Sequence, residues 1–194
     1  MHSTEISTKE KIIEAGKYEF LEKGYEKASL RNICSKAKVT TGALYFSFKN
    51  KSDLFNNIVK VTVTELNLLI QHMVQLELKD ISTGCENEAK LMRFLWEHRD
   101  EVLILLNKSE GTPYEKCKET FTKQIESAFT LFFQKSNIPI DVDLIHILVC
   151  MKIEGYIEIL SGVYTMEKSV QLATLMGSYS EYGFEKLIEE IKEM

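Results

Sequence analysis

Apolar residues recur every three to four positions along most of the chain, a spacing that predicts helix almost throughout. Ser7-x-x-Glu10 reads as a capping box. Ile12, Ile13, Gly16, Phe20 and Leu21 follow it at helical spacing, and Gly24 fits the left-handed position that closes a helix. Ser29 can cap a short second helix through Leu30, Ile33 and Ala37. A turn around Lys38-Val39 leads to a third short helix, capped by Thr40 or Thr41 and carrying Leu44, Tyr45 and Phe48. Asn50 then caps a long fourth helix, with Asp53 in its first turn. Its expected apolar stripe is Leu54, Phe55, Ile58, Val61, Leu66, Leu69, Ile70 and Met73, running to about Lys79. Asp80 to Asn87 reads as a loop. Helical patterns are expected again from Ala89 to His98 and from Glu101 to Lys108, with a stop at Gly111-Thr112-Pro113. A further helix is expected from about Tyr114 to Lys135, stopped by Asn137-Ile138-Pro139, and two last ones from about Asp141 to Val163 and Met166 to Ile191. The fold class this predicts is all-α, with about nine helices.

Composition narrows the class. Two prolines and nine glycines in 194 residues suit long helices. No stretch reaches the roughly 18 apolar residues that a membrane span needs. The segment from Met1 to Lys11 has no apolar run and carries Glu5 and Glu10, unlike a secretory signal. The expectation is a cytoplasmic protein with no membrane partner. Cys34, Cys85, Cys117 and Cys150 are far apart and form no Cys-x-x-Cys pair, so free, mostly buried thiols are expected, and spacing alone gives little ground for redox sensing. The net charge of −5 hides an asymmetry: residues 1–51 hold ten Lys/Arg against six Asp/Glu, and residues 52–194 hold fourteen against twenty-three. A basic head on an acidic body implies that only the head meets a polyanion.

Two short helices joined by a tight turn, packed on a preceding helix near the N-terminus, are the layout of a DNA-reading helix-turn-helix. The residues make this specific. Ile13 and Phe20, Gly24-Tyr25, Leu30-Arg31-Asn32-Ile33 and the run Thr40-Thr41-Gly42-Ala43-Leu44-Tyr45-Phe46-Ser47-Phe48-Lys49-Asn50-Lys51-Ser52-Asp53-Leu54 resemble the DNA-binding segment of the TetR family of bacterial regulators. The resemblance spans residues 11–55, and the helical body matches it in length and layout. It implies a helix-turn-helix domain over residues 1–50, and a helical ligand-binding and dimerisation domain over 51–194. Two positions depart from the family pattern: Ser47 stands where histidine is frequent, and Lys38 where the turn usually has glycine. If that turn needs positive φ, lysine there costs roughly 1 kcal/mol.

Read as chemistry, the start of the third helix offers free N–H groups and a positive dipole end beside Thr40 and Thr41. Thr40, Tyr45 and Lys51 are candidates for phosphate contact, with Lys49 adding positive charge, while Arg31, Thr41, Gly42, Ala43 and Phe46 are candidates for base edges or methyl groups. Leu44 and Phe48 should point inward. The expected partner is double-stranded DNA with a pseudo-palindromic site.

In the body, the expected helix from Asp141 is apolar on nearly every side, so it should be covered on most sides. Val170, Ala173, Thr174, Gly177 and Ser178 on the last helix allow close approach. The resemblance implies a homodimer through these last two helices and release from DNA by a small-molecule effector, most often as a repressor. Aromatic and methionine-rich middle helices supply the candidate ligand-binding residues Phe94, Trp96, Tyr114, Phe121, Phe129 and Met151, each of which also fits an ordinary core. Phe132 belongs to the same aromatic set. Glu154 and His146 are polar residues inside apolar runs, and Glu154 is a candidate for orienting a cationic or hydrogen-bond-donating ligand. No phosphate loop, Gly-x-Ser-x-Gly or His-Glu-x-x-His occurs, and the histidines do not cluster with cysteines at zinc-ligand spacing. No enzyme activity, cofactor or metal is therefore expected. The competing reading is a helical adaptor or sensor that has lost DNA binding.

Overall fold

The structure, a computed structural model, describes residues 7–77, 84–135 and 138–193, and the side chains of all of these except 77, 84–86, 132 and 135. Among the described residues nine helices form: α1 (Thr8–Lys27), α2 (Leu30–Ala37), α3 (Thr41–Ser47), α4 (Lys51–Glu77), α5 (Gly84–Glu97), α6 (Arg99–Asn107), α7 (Cys117–Lys135), α8 (Val142–Ser161) and α9 (Met166–Glu193). No described helix is long and apolar enough to cross a membrane. The chain divides into two compact units. One comprises residues up to Glu65 with Asp100–Lys118, and the other Leu66–Arg99 with Glu119 onward. Both units draw on α4, so the compact head extends well beyond residue 50.

In the first unit α1 starts at the expected capping box: Ser7 accepts from the Glu10 amide, and Glu10 accepts from the Ser7 amide. Ile12, Phe20, Ile33, Leu44, Phe48, Leu54 and Phe55 are sealed in one core. Burying each such side chain contributes roughly 1.5–3 kcal/mol. Phe20, Tyr25 and Phe55 pack edge-on or offset at centroid distances of 5.1–6.0 Å. A Cβ on Gly16 would lie 3.0 Å from the Ile58 side chain, so the missing side chain lets α1 lie directly against α4.

Three local expectations are corrected. Gly24 does not end α1; it kinks it at φ 74°, ψ 164°, a conformation that favours glycine, and a last turn resumes to Lys27. Ser29 does not cap α2 with its hydroxyl. Its amide instead donates to the buried carboxylate of Glu19, which also accepts from Asn32 and Lys23. Burial alone would push the Glu19 carboxyl up, but these donors outweigh it and hold it below the ordinary glutamate value. Along α4, Val61 is exposed, while Val59 and Thr62 are buried in its place. The α2–α3 turn needs the strained conformation suspected from Lys38: this residue sits at φ 55°, ψ 42°.

In the second unit α5 packs along α9 and both meet α8. The helix α5 begins at Gly84, inside the segment expected to be a loop, and α7 begins at Cys117 after a run of turns rather than at Tyr114. Gly177 is where α9 lies closest to α5, since a Cβ there would fall 2.6 Å from Glu88. Of the small residues of α9, Ala173 and Gly177 are buried within the subunit, while Val170, Thr174 and Ser178 are half-buried. The guanidinium of Arg99 donates to the carbonyls of Leu160, Ser161 and Gly162 and closes the C-terminus of α8.

Replacing Lys38 by glycine removes the left-handed penalty of a side-chain-bearing residue. The variant should be more stable by about 1 kcal/mol, read as a higher urea midpoint with unchanged slope; a lower midpoint would show that the lysine side chain contributes more than its backbone strain costs.

Candidate nucleic-acid interface

The third helix is a short platform with two unlike faces. Leu44 and Phe48 fix its inner side in the core. Thr40 caps it, its hydroxyl oxygen accepting the Ala43 amide at 3.2 Å, and its O–H remains available as a donor. The outer side carries Thr41, Gly42, Tyr45 and Phe46, all exposed, with Ala43 half-buried. Tyr45 is 55% and Phe46 94% exposed, so two aromatic rings stand in solvent on adjacent positions. A Cβ on Gly42 would meet only Thr40, at 3.8 Å. Glycine costs a helix about 1 kcal/mol relative to alanine, and nothing inside the protein requires it here. The space it leaves open is on the outer face.

Arg31 is exposed on α2, and Lys49 is exposed just beyond α3. The Lys49 amide donates to Asp53, while the Asp53 amide donates to the Asn50 side chain, which caps α4 as expected. Lys51 has a different setting from the other candidates. Its ammonium donates to the carbonyl oxygens of Tyr25 (2.7 Å), Glu26 (3.1 Å) and Ala28 (3.2 Å), and lies 4.5 Å from the centre of the Tyr25 ring. Three donors on three carbonyls leave it closing the C-terminal end of α1 rather than pointing outward.

The pattern of the head has a counterpart among known proteins. The model of bacterial regulatory proteins of the tetR family matches residues 12–58. A Bacillus subtilis protein described as a probable HTH-type transcriptional regulator, YttP, is 25% identical over 199 aligned positions, covering 96% of this chain and 91% of its own. The head is thus similar to the DNA-binding segment of the tetR family of bacterial regulatory proteins. The probable acrEF/envCD operon repressor of Escherichia coli K12 is 32% identical over 68 residues, which is 35% of this chain and 31% of that protein. The chain therefore aligns with about a third of the length of that relative. A solved transcriptional regulator of Aquifex aeolicus VF5 shares the fold, with a TM-score of 0.57 and 24% identity over 87% of this chain and 96% of that one.

The candidate ligand residues have separate local settings. Tyr114 belongs to the first unit, where its hydroxyl donates to Asn56 at 2.5 Å and its ring packs near Phe55. Phe121 is buried. Phe94 packs on His98 with centroids 4.6 Å apart, and Phe129 stacks on Phe184 at 5.0 Å. The indole of Trp96 donates to the Tyr164 carbonyl at 3.4 Å. Met151 (59% exposed) and Glu154 lie on the outer side of α8. Phe132 and Cys85 fall outside the described side chains. Among the described residues of this unit the buried carboxylate is Glu88, which directly follows the expected loop. It is 4% exposed, pairs with Lys152 at 2.5 Å and accepts from the Tyr156 hydroxyl. Its only sequence signal is its place one turn before the apolar run of α5.

Removing the Lys51 ammonium should cost stability, and truncating the outer face of α3 should not. Lys51→Met is expected to lose about 2 kcal/mol in urea unfolding, as charge-assisted bonds to three carbonyls disappear. Tyr45→Ala should stay within about 0.5 kcal/mol of the parent. Equal effects of the two substitutions would contradict this division of labour.

Proposed function

We propose that this chain is a transcriptional repressor that binds double-stranded DNA through α2 and α3, acts as a homodimer on a pseudo-palindromic operator, and is released by a small-molecule effector. The observation that carries the reading is the outer face of α3: exposed Tyr45 and Phe46 beside an open Gly42 on a helix whose other side is fixed in the core. Exposed aromatics and an unexplained glycine are costs to a free head and assets against a duplex. Tyr45, Thr40 and Lys49 are assigned to phosphate, and Arg31, Thr41, Gly42, Ala43 and Phe46 to base edges and methyl groups. Lys51 contributes by holding the α1 terminus to the start of α4.

The dimer reading rests on exposed apolar stripes. Ile147 and Met151 on α8, and Leu175, Tyr179 and Tyr182 on α9, recur at helical spacing on the faces turned away from the subunit core. For the effector, the half-buried Phe94, Trp96 and Phe129 supply apolar surface in the second unit, and Glu88 with its Lys152 and Tyr156 partners supplies the polar group. Release then requires an effector that binds the DNA-incompetent arrangement more tightly than the competent one.

Selection from random duplex DNA tests the reading. The parent chain should enrich a palindrome, and an Arg31→Ala/Tyr45→Ala variant should enrich none while unfolding at the same urea concentration. The same palindrome enriched by both would remove α2 and α3 from DNA recognition, and no enrichment by a folded parent freed of small molecules by refolding would favour an adaptor that does not bind DNA.

A further inference from the structure

The side of α8 that meets α7 carries a second set of reactive groups. His146 and Cys150 lie one turn apart, with the Cys150 sulfur beside the imidazole, 3.7 Å from Nε2 and 4.0 Å from Nδ1. The other ring nitrogen, Nδ1, is 2.5 Å from Glu126 Oε1 on α7. Among the described residues no group of three or more His, Cys, Asp or Glu could hold a metal ion. Here carboxylate, imidazole and thiol follow one another as neighbours rather than forming a cage. That is the order of an orienting group, a base and a nucleophile. The Glu126 carboxylate favours the tautomer with hydrogen on Nδ1, which leaves Nε2, the nitrogen nearer the sulfur, unprotonated; a turn of the imidazole ring aims its lone pair at the thiol. The imidazolium formed when Nε2 takes the thiol proton stands beside two anions, the Glu126 carboxylate and the thiolate.

We propose that Cys150 is a covalent acceptor for small neutral electrophiles of the α,β-unsaturated carbonyl class, with His146 as its base and Glu126 as the residue that positions His146. The reaction is an addition with no leaving group and no change of oxidant. His146 takes the thiol proton, and the sulfur forms a bond to the β-carbon as the carbon–carbon π bond breaks. The electron pair moves toward the carbonyl, and the α-carbon then takes the proton back from His146.

The surroundings select the class of reagent. Glu126 and the exposed Glu154, one turn beyond Cys150, disfavour anionic reagents and leave neutral ones unopposed. Of the other described thiols, Cys34 and Cys117 are buried, and burial pushes Cys117 up to about 11, away from its reactive form. Cys150 is only partly covered. It lies ~60° around α8 from the Ile147 stripe, on the flank of that face rather than at its centre.

The test is timed alkylation of the full chain at neutral pH with N-ethylmaleimide, a neutral α,β-unsaturated imide, with each cysteine followed separately by peptide mass spectrometry. Cys150 should react faster than Cys34 and Cys117, and about tenfold or more faster than the same cysteine in His146→Ala. His146 is exposed, so its removal spares the core and uncovers the sulfur; a thiol that reacted merely because it is accessible would speed up. Glu126→Gln keeps the shape and removes the charge, and should slow Cys150 several-fold while leaving Cys34 and Cys117 unchanged. An equal or faster Cys150 in His146→Ala, or a parent Cys150 no faster than the buried thiols, would overturn the proposal.

Discussion

A lysine ammonium placed on the carbonyl end of α1 is the contact on which the geometry of the head depends. Helix ends leave unpaired carbonyls, and α1 ends in a kink at Gly24 that sets its last turn at an angle. Lys51 meets that turn with three bonds from the first residue of α4, so the end of one helix and the start of another are held by the same side chain. Glu19 does the complementary task at the other side of the junction, taking the Ser29 amide at the entry to α2. Between these two groups, one cationic on carbonyls and one anionic on donors, α2 and α3 can present exposed side chains without themselves having to bury much surface. The second unit uses the same device once more, with Arg99 on the carbonyl end of α8.

This arrangement explains why a seven-residue helix can persist with its outer face open. An isolated helix of that length would not persist in water. Leu44 and Phe48 supply the packing, the Thr40 cap supplies the start, and the outer positions are left free of any structural duty. The open space around Gly42 and the solvent-facing Phe46 are the local departures from what stability alone would choose, and such departures are where function is expected to show.

How much of this was legible in the chain depends on the range of the interaction. The helix count, the capping box at Ser7, the inward Leu44 and Phe48, and the strained Lys38 turn all follow from residues a few positions apart, and all appear in the structure. The spacing of Lys51 to α3 is visible in the chain, whereas its carbonyl partners lie 23–26 positions away. Glu88 pairs with residues on α8, so neither its burial nor its partners are signalled by its polar neighbours. Glu154 sits between apolar residues, yet the helical turn carries it to the outer face. The small residues of α9 were legible as a site of close approach, but the helix that approaches is α5 of the same chain. Cys150 gained meaning only when α7 brought Glu126 to the far side of His146.

The central claim is that the head meets the sugar-phosphate backbone through the face of α3 and its flanks. Its most direct test is the salt dependence of binding, measured by fluorescence anisotropy on the selected duplex across roughly 50–200 mM salt. A chain that neutralises several phosphates should lose affinity linearly on a log–log plot, with a slope of several units, and Lys49→Ala should bind more weakly with a slope shallower by about one. A flat dependence for the parent, or an unchanged slope when Lys49 is removed, would contradict the account.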